Sequence, residues 1–179
     1  MCIKDLYSTI DDNEVPNYLN EKINNSIELT GDAFFIKVFG NNLEASRVYY
    51  EEFYKKIFYG GVTDIRLKEL IRLRLAGISG CKYCISVDEN SAINNGISEL
   101  DIQNAKNNNL KNFTNIERNL LQLTNHISLK DAKERAEKVL IQRILEEISM
   151  EEYIEILFVI AILTGMGNML GSVDLVETD

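Results

Sequence analysis

The sequence predicts an all-α, single-domain protein. Its 179 residues contain one proline and ten glycines, so few positions interrupt a helix. Apolar residues recur at helical spacing over long stretches. Where two of these stretches begin, a hydroxyl residue is followed three positions later by a carboxylate, the pattern of a helix N-terminus.

In chain order, Pro16 starts a first helix that runs to about Leu29, before Gly31. Residues 32–39 form a short apolar segment of one or two turns. Residues 43–58 carry Val48, Tyr49, Phe53 and Ile57 near helical spacing and stop at Gly60 and Gly61. Asp64 caps a helix with Leu67, Leu70, Ile71 and Leu75 on one side, ending near Gly77. The segment that begins at Cys81 opens the next helix, to about Asn94, with Gly96 as its stop. Ser98 starts a short helix, and the three asparagines 107–109 form a loop. Thr114 with Glu117, and Ser149 with Glu152, open helices over about 115–126 and 150–168. Between them, residues 129–148 are predicted as one helix with a strongly charged first half. Residues 156–163 are apolar all round, which predicts burial on more than one side. In a chain this small a subunit interface supplies the second side, so a homo-oligomer is expected.

Composition limits the function. Hydrophobic residues make up 45% and charged residues 26%, the balance of a soluble globular protein. The 28 acidic and 19 basic residues leave a net charge of −9, which works against nucleic acid as a partner. The first dozen residues lack the apolar centre of a secretory signal. The longest apolar run, residues 156–163, is too short to cross a bilayer. The expectation is a cytoplasmic protein with no membrane partner, and in a reducing compartment a Cys-x-x-Cys is more often catalytic or metal-binding than a structural staple.

That pair is Cys81-Lys82-Tyr83-Cys84, directly after Gly77, Ser79 and Gly80, which mark a helix break. The thiols fall at the start of a helix, where free N–H groups and the dipole favour a thiolate. Cys81, Cys84 and Asp88 are spaced i, i+3, i+7 and share a face. Glu69 lies twelve residues before Cys81. On one unbroken helix it would be roughly 18 Å away, whereas a reversal at residues 77–80 returns it beside the thiols. Two inert buried thiols remain an alternative. A structural zinc needs four ligands, and the chain offers no second Cys-x-x-Cys and no histidine pair. His126, the only histidine, is assigned to a helix end, Tyr83 to packing, and Cys2 to a mobile terminus.

Glu69, then Cys81-Lys-Tyr-Cys84, then a residue four further on, resembles the signature of the carboxymuconolactone decarboxylase / alkylhydroperoxidase D-like family. The surrounding "LKELIRLRLAGISGCKYC", "SAINNGISELDI" and "IEILFVIAILTGMGNML" extend the resemblance over about residues 51–175 of one domain, 1–179. The resemblance implies the fold of that family and a thiol-dependent peroxidase or disulfide oxidoreductase of peroxiredoxin type, with an antioxidant role. Transferred by position, Cys84 attacks the peroxide, Cys81 resolves the sulfenic acid as a disulfide, and Glu69 is the proton-relay acid/base. Helix-end reasoning alone favours Cys81 as the more acidic thiol, so the two arguments name different nucleophiles. No metal, haem or flavin cofactor is implied, and an external thiol must recycle the disulfide.

The departure from the family is Asp88, where its peroxidases carry histidine. A charged carboxylate disfavours a neighbouring thiolate unless it is protonated or paired, with Lys82 and Arg72 as the candidates. Asp88→His is accordingly expected to raise peroxide reactivity. The rival functions are a lyase acting on a carboxylated lactone, as in the other branch of the family, and a non-catalytic redox-sensing oligomer.

Overall fold

Helix α4 (Ile65–Ser79) is the axis around which the other elements pack, in a computed structural model that describes residues 3–129, 136–173 and 175–176. Before it come α1 (Asn17–Thr30), α2 (Phe34–Phe39) and α3 (Leu43–Arg47). Pro16 is extended at the start of α1, and Gly31 ends that helix in the left-handed region at φ 73°. After α4 come α5 (Lys82–Asn94), α6 (Glu99–Lys106), α7 (Asn115–Leu129), α8 (Lys138–Leu145) and α9 (Met150–Ser172). Among the described residues there is no strand, as the sequence predicts.

α3 does not continue as an α-helix. Residues Val48–Phe58 form a π-helix, closed by the Tyr59 N–H donating to the Tyr54 carbonyl at 2.9 Å. The wider turn brings every fifth residue into register. Tyr49, Tyr54 and Tyr59 therefore stand in one column, with ring centroids 5.1 Å and 6.1 Å apart.

α4 packs against α5, α6, α7 and α9, which is why it is buried nearly all round. Ile71 and Leu75 join Phe53, Phe58, Leu120, Leu123 and the inner face of α9. Leu70 and Leu73 join α6 and α7 through Ile102, Ala105 and Leu121. Gly77 lies inside α4 rather than at its end; a Cβ there would meet the Lys106 carbonyl oxygen at 2.4 Å, so glycine lets α6 approach. The break comes three residues later, at Gly80, with φ 62°.

Three charged residues of α4 are buried as well: Lys68, Glu69 and Arg72. Burying a charge is costly unless it is paired and hydrogen-bonded. Lys68 donates to Glu155 at 2.9 Å and to the Ile57 carbonyl at 3.0 Å. Glu155 also accepts from the Val62 and Thr63 N–H groups. This knot ties α9 to α4 and to the end of the π-helix. Glu155→Ala leaves an ammonium without its counter-ion in the interior and is expected to cost about 3–5 kcal/mol. Urea unfolding measures the loss, and the double variant Lys68→Met/Glu155→Ala should recover most of it.

Two sequence expectations change. Residues 129–148 are not one helix: α7 ends at Leu129, Glu137 is extended (φ −61°, ψ 133°), and α8 begins at Lys138. The charged first half of that predicted helix falls largely on residues 130–135, outside the described residues. The second change concerns α9. Ile156, Val159, Ile160 and Leu163 are buried, while Ile154 and Phe158 on the opposite face are exposed. One side of this helix, rather than all of it, enters the core of the chain. At 23 residues it is also long and apolar enough, by length and composition alone, to cross a membrane.

Candidate active site

The left-handed turn at Gly80 reverses the chain, so that α5 packs along α4. Cys81 is the N-cap of α5. Its Sγ accepts the Cys84 N–H at 3.1 Å and is joined to Cys84 Sγ as a disulfide, with Cα atoms 5.2 Å apart. The two cysteines differ in access. Cys81 is buried in the cluster that α1, α2 and the end of α9 form with Leu19, Phe35 and Leu170. Cys84 lines a cavity of about 440 Å³.

The cavity has an aromatic wall made by Tyr49, Tyr54 and Tyr59 of the π-helical column together with Tyr50, Tyr83 and Phe35. Its floor holds Cys84, Asp88 and Arg72. α1 closes the outer side with Lys22, Asn25 and Ser26, and the hydroxyls of Ser26 and Tyr83 are hydrogen-bonded at 3.0 Å. Tyr83 also meets Phe35 edge-on, the packing role the sequence assigns to it.

Asp88 sits one turn after Cys84 on the cavity side. Burial pushes its carboxyl up to about 7, against the pull of the Arg72 cation, while Glu69 and Glu89 add to the rise. Arg72 Nε lies 3.3 Å from Asp88 Oδ1. That N–H is not aligned on any acceptor, so the contact is an ion pair rather than a hydrogen bond. Both conditions under which a carboxylate could stand beside a thiolate are thus present here: a counter-ion, and a titration near neutrality.

Glu69 is fully buried and is not on the cavity wall. Its Oε2 accepts from Arg72 Nη2 at 2.5 Å. Its Oε1 accepts from Ser91 Oγ at 2.8 Å and Asn95 Nδ2 at 2.9 Å. Ser91 and Asn95 lie further along α5 than Asp88, so Glu69 stands behind Arg72 rather than against the sulfurs. Tyr59 completes the group: its hydroxyl accepts from Arg72 Nη1 at 3.4 Å and donates to Ser91 Oγ at 3.0 Å. The Arg72 guanidinium also lies over the Phe58 ring, 4.7 Å from its centroid.

All four residues chosen from sequence thus lie along the α4–α5 contact, but in two layers. Cys84 and Asp88 face the cavity, Cys81 is the buried half of the disulfide, and Glu69 is connected to Asp88 through Arg72. Sequence reasoning named Arg72 only as a possible partner of Asp88 and missed Tyr59 and Ser91. A signal was there: a basic residue three after Glu69, inside a run of leucines and isoleucines, has no solvent face to occupy. The five-residue spacing of the tyrosines was a second. His126 belongs to α7 and does not line the cavity.

Comparison with known proteins places this geometry. Residues 47–108 match the model of the carboxymuconolactone decarboxylase family. That segment includes the π-helix, α4, the cysteines and α6, but not α1 or α2, which wall the cavity. A search of curated proteins finds no match. Among solved structures, an uncharacterized peroxidase-related protein from Silicibacter sp. TM1040 superposes with a TM-score of 0.73 at 13% identity, over 96% of this chain and 92% of that one. An uncharacterized peroxidase-related protein from Ralstonia eutropha JMP134, described as an alkylhydroperoxidase AhpD core, gives 0.73 at 13%, over 97% and 91%. Residues 47–108 therefore carry the pattern of the carboxymuconolactone decarboxylase family, in a chain that shares its all-α fold with AhpD-core structures.

Proposed function

We propose that the protein is a thiol-dependent peroxidase whose reacting atom is Cys84 Sγ. The observation that carries the reading is the asymmetry of the disulfide: one sulfur lines a cavity, and the other is buried at a helix N-terminus. In the reduced protein, the Cys84 thiol passes its proton to Asp88, and the thiolate attacks the terminal-side oxygen of a hydroperoxide. The O–O bond breaks, Cys84 becomes a sulfenic acid, and the alkoxide leaves as an alcohol with the proton from Asp88. Cys81 then attacks Cys84 Sγ, forms the disulfide and releases water. Glu69, which the sequence reading made the proton-relay acid/base, stands behind Arg72 and off the cavity wall; an arginine cannot pass a proton on, so in this reading Glu69 acts through its ion pair with Arg72 and Asp88 alone takes the thiol proton.

Regeneration follows the same asymmetry. An external thiolate attacks the accessible Cys84 Sγ, and Cys81 leaves as a thiolate that accepts the Cys84 N–H. A more acidic leaving thiol departs faster. In this reading the two sequence arguments no longer compete: the helix end serves Cys81 as resolving and leaving group, and access serves Cys84 as nucleophile. The first thiol is left in a mixed disulfide with Cys84; a second external thiolate attacks the donor's sulfur in that bond, Cys84 leaves as a thiolate and the donor's own disulfide forms, so the cycle needs a thiol donor and no resident cofactor. The lyase alternative has no use for two bonded sulfurs beside the cavity. The test is consumption of an organic hydroperoxide with an added dithiol: the wild type turns over and Cys84→Ser does not. Turnover that survives Cys84→Ser overturns the reading.

The exposed face of α9 supports assembly with a second copy of the chain. Ile154 and Phe158 are 56% and 44% exposed to solvent in the single chain. Light scattering at micromolar concentration is expected to give an oligomer, and Phe158→Glu to shift it toward the monomer. A wild-type monomer contradicts the assembly.

A further inference from the structure

The Arg72 guanidinium is buried and held on several sides, and no step above uses its charge. It is buried, bonded to Glu69 through Nη2 and to Tyr59 through Nη1, and stacked on Phe58. Its Nε remains without an aligned acceptor, 3.3 Å from Asp88 Oδ1. Glu69, Ser91 and Tyr59 close a ring of hydrogen bonds around its other end, from Nη1 through Tyr59, Ser91 and Glu69 back to Nη2. This ring holds the guanidinium in one orientation, with Nε turned to the carboxylate that lines the cavity with Cys84.

We propose that Arg72 is a positioning residue: it is the counter-ion of the single negative charge shared by Cys84 and Asp88, and Glu69, Ser91 and Tyr59 are its mount. An arginine cannot carry the proton. It lowers the cost of removing one, whether the remaining charge sits on sulfur or on the carboxylate. A family histidine would be both base and cation. Here the two tasks are divided, Asp88 taking the proton and Arg72 supplying the charge.

Every group that faces Asp88 bears on this. Arg72 and Glu69 face it from α4, Glu89 and Tyr83 from α5, and Tyr49 and Tyr54 from the π-helix. Lys22 of α1 lines the same cavity, and α9 contributes only Leu163, Met166, Gly167 and Leu170 to it. The tyrosines are pushed further above the usual phenol range by burial and stay neutral near pH 7. Among the described residues that face Asp88, Arg72 is the one cation.

The proposal rests on the thiol reading only in requiring a reactive Cys84, and its test uses no peroxide. The rate of iodoacetamide alkylation of Cys84 is followed against pH in a Cys2→Ser/Cys81→Ser background. Arg72→Gln should raise the midpoint by about one pH unit or more, so that alkylation near pH 7 slows about tenfold. Arg72→Lys should shift it less, and Tyr59→Phe, which loosens the mount at a half-exposed position, less again but upward. Because Arg72→Gln alone leaves Glu69 buried and unpaired, Glu69→Gln/Arg72→Gln is measured alongside; it removes the pair together and should show the same upward shift. A folded double variant with an unchanged midpoint overturns the proposal, as does a loss of stability with no shift in any variant. A protein whose midpoint depends on Arg72 but which consumes no peroxide would refute the peroxidase reading and leave this one standing.

Discussion

Asp88→Asn should slow oxidation of Cys84 by about 10²-fold or more near pH 7.5, and in the same protein raise the stability of the fold. The first effect follows from removing the group that takes the thiol proton; general-base assistance is typically worth about 10²–10⁴-fold. The second follows from linkage. Burial raises the Asp88 carboxyl from the ordinary 3.8 to about 7. Between those values the native state keeps a proton that the unfolded chain has released, so stability falls as the pH rises from about 4 to about 7. Above pH 7 the fold holds a buried charge that asparagine does not have. The gain at pH 8 is expected to be about 2–4 kcal/mol, since the full shift corresponds to about 4 kcal/mol. Near pH 4 the two proteins should be equally stable. Denaturant titrations at pH 4, 6 and 8 check the sign, and an asparagine variant less stable at pH 8 contradicts it. Asp88→His fits the same frame. Beside Arg72 the imidazole is held neutral and can take the proton, so the variant should work at least as fast as the wild type. The gain should stay within about tenfold, because the aspartate already titrates near neutrality.

How much of this was legible in the sequence depended on whether a feature was local. Caps and stops are local. Thr114 with Glu117 and Ser149 with Glu152 form the reciprocal hydrogen bonds their spacing implies, and Gly31, Gly80 and Gly96 adopt the positive φ that ends a helix. The dithiol at the head of α5 and its face shared with Asp88 follow from helical spacing alone. The π-helix does not, because the apolar pattern of residues 48–58 fits 3.6 residues per turn almost as well as the wider turn, and the difference appears only in which tyrosines align. The layering of the site was not legible either. Spacing brings Glu69 back to α5, but whether it meets the sulfurs or stands behind an arginine depends on how the two helices are offset along their length. The state of Asp88 lay furthest from the sequence, since its titration depends on burial, in a cavity it shares with Tyr49 and Tyr54, more than thirty residues away. The break between α7 and α8 was missed because the charged residues of 130–148 suit a solvated helix face, and charge pattern alone carries no signal for an extended residue at Glu137.

The second large effect separates the two cysteines. Cys84→Ser removes the cysteine sulfur that lines the cavity and should abolish peroxide consumption, by about 10³-fold or more, the loss typical of a missing nucleophile. Cys81→Ser removes the buried partner. Cys84 can still attack, so one oxidation should occur at close to the wild-type rate, after which the cycle stops for want of a resolving thiol. Equal rates of this first oxidation in both variants would mean that either sulfur can react, against the burial of Cys81.

The most direct measurement is therefore mass spectrometry of Cys81→Ser, in a Cys2→Ser background, after a short exposure to an organic hydroperoxide with dimedone present to trap sulfenic acid. The account predicts a dimedone adduct on the peptide containing Cys84, formed stoichiometrically, while Cys84→Ser under the same conditions gives no adduct at Cys81. Rapid labelling of Cys81 in Cys84→Ser, with Cys84 left unmodified in the companion variant, would contradict it.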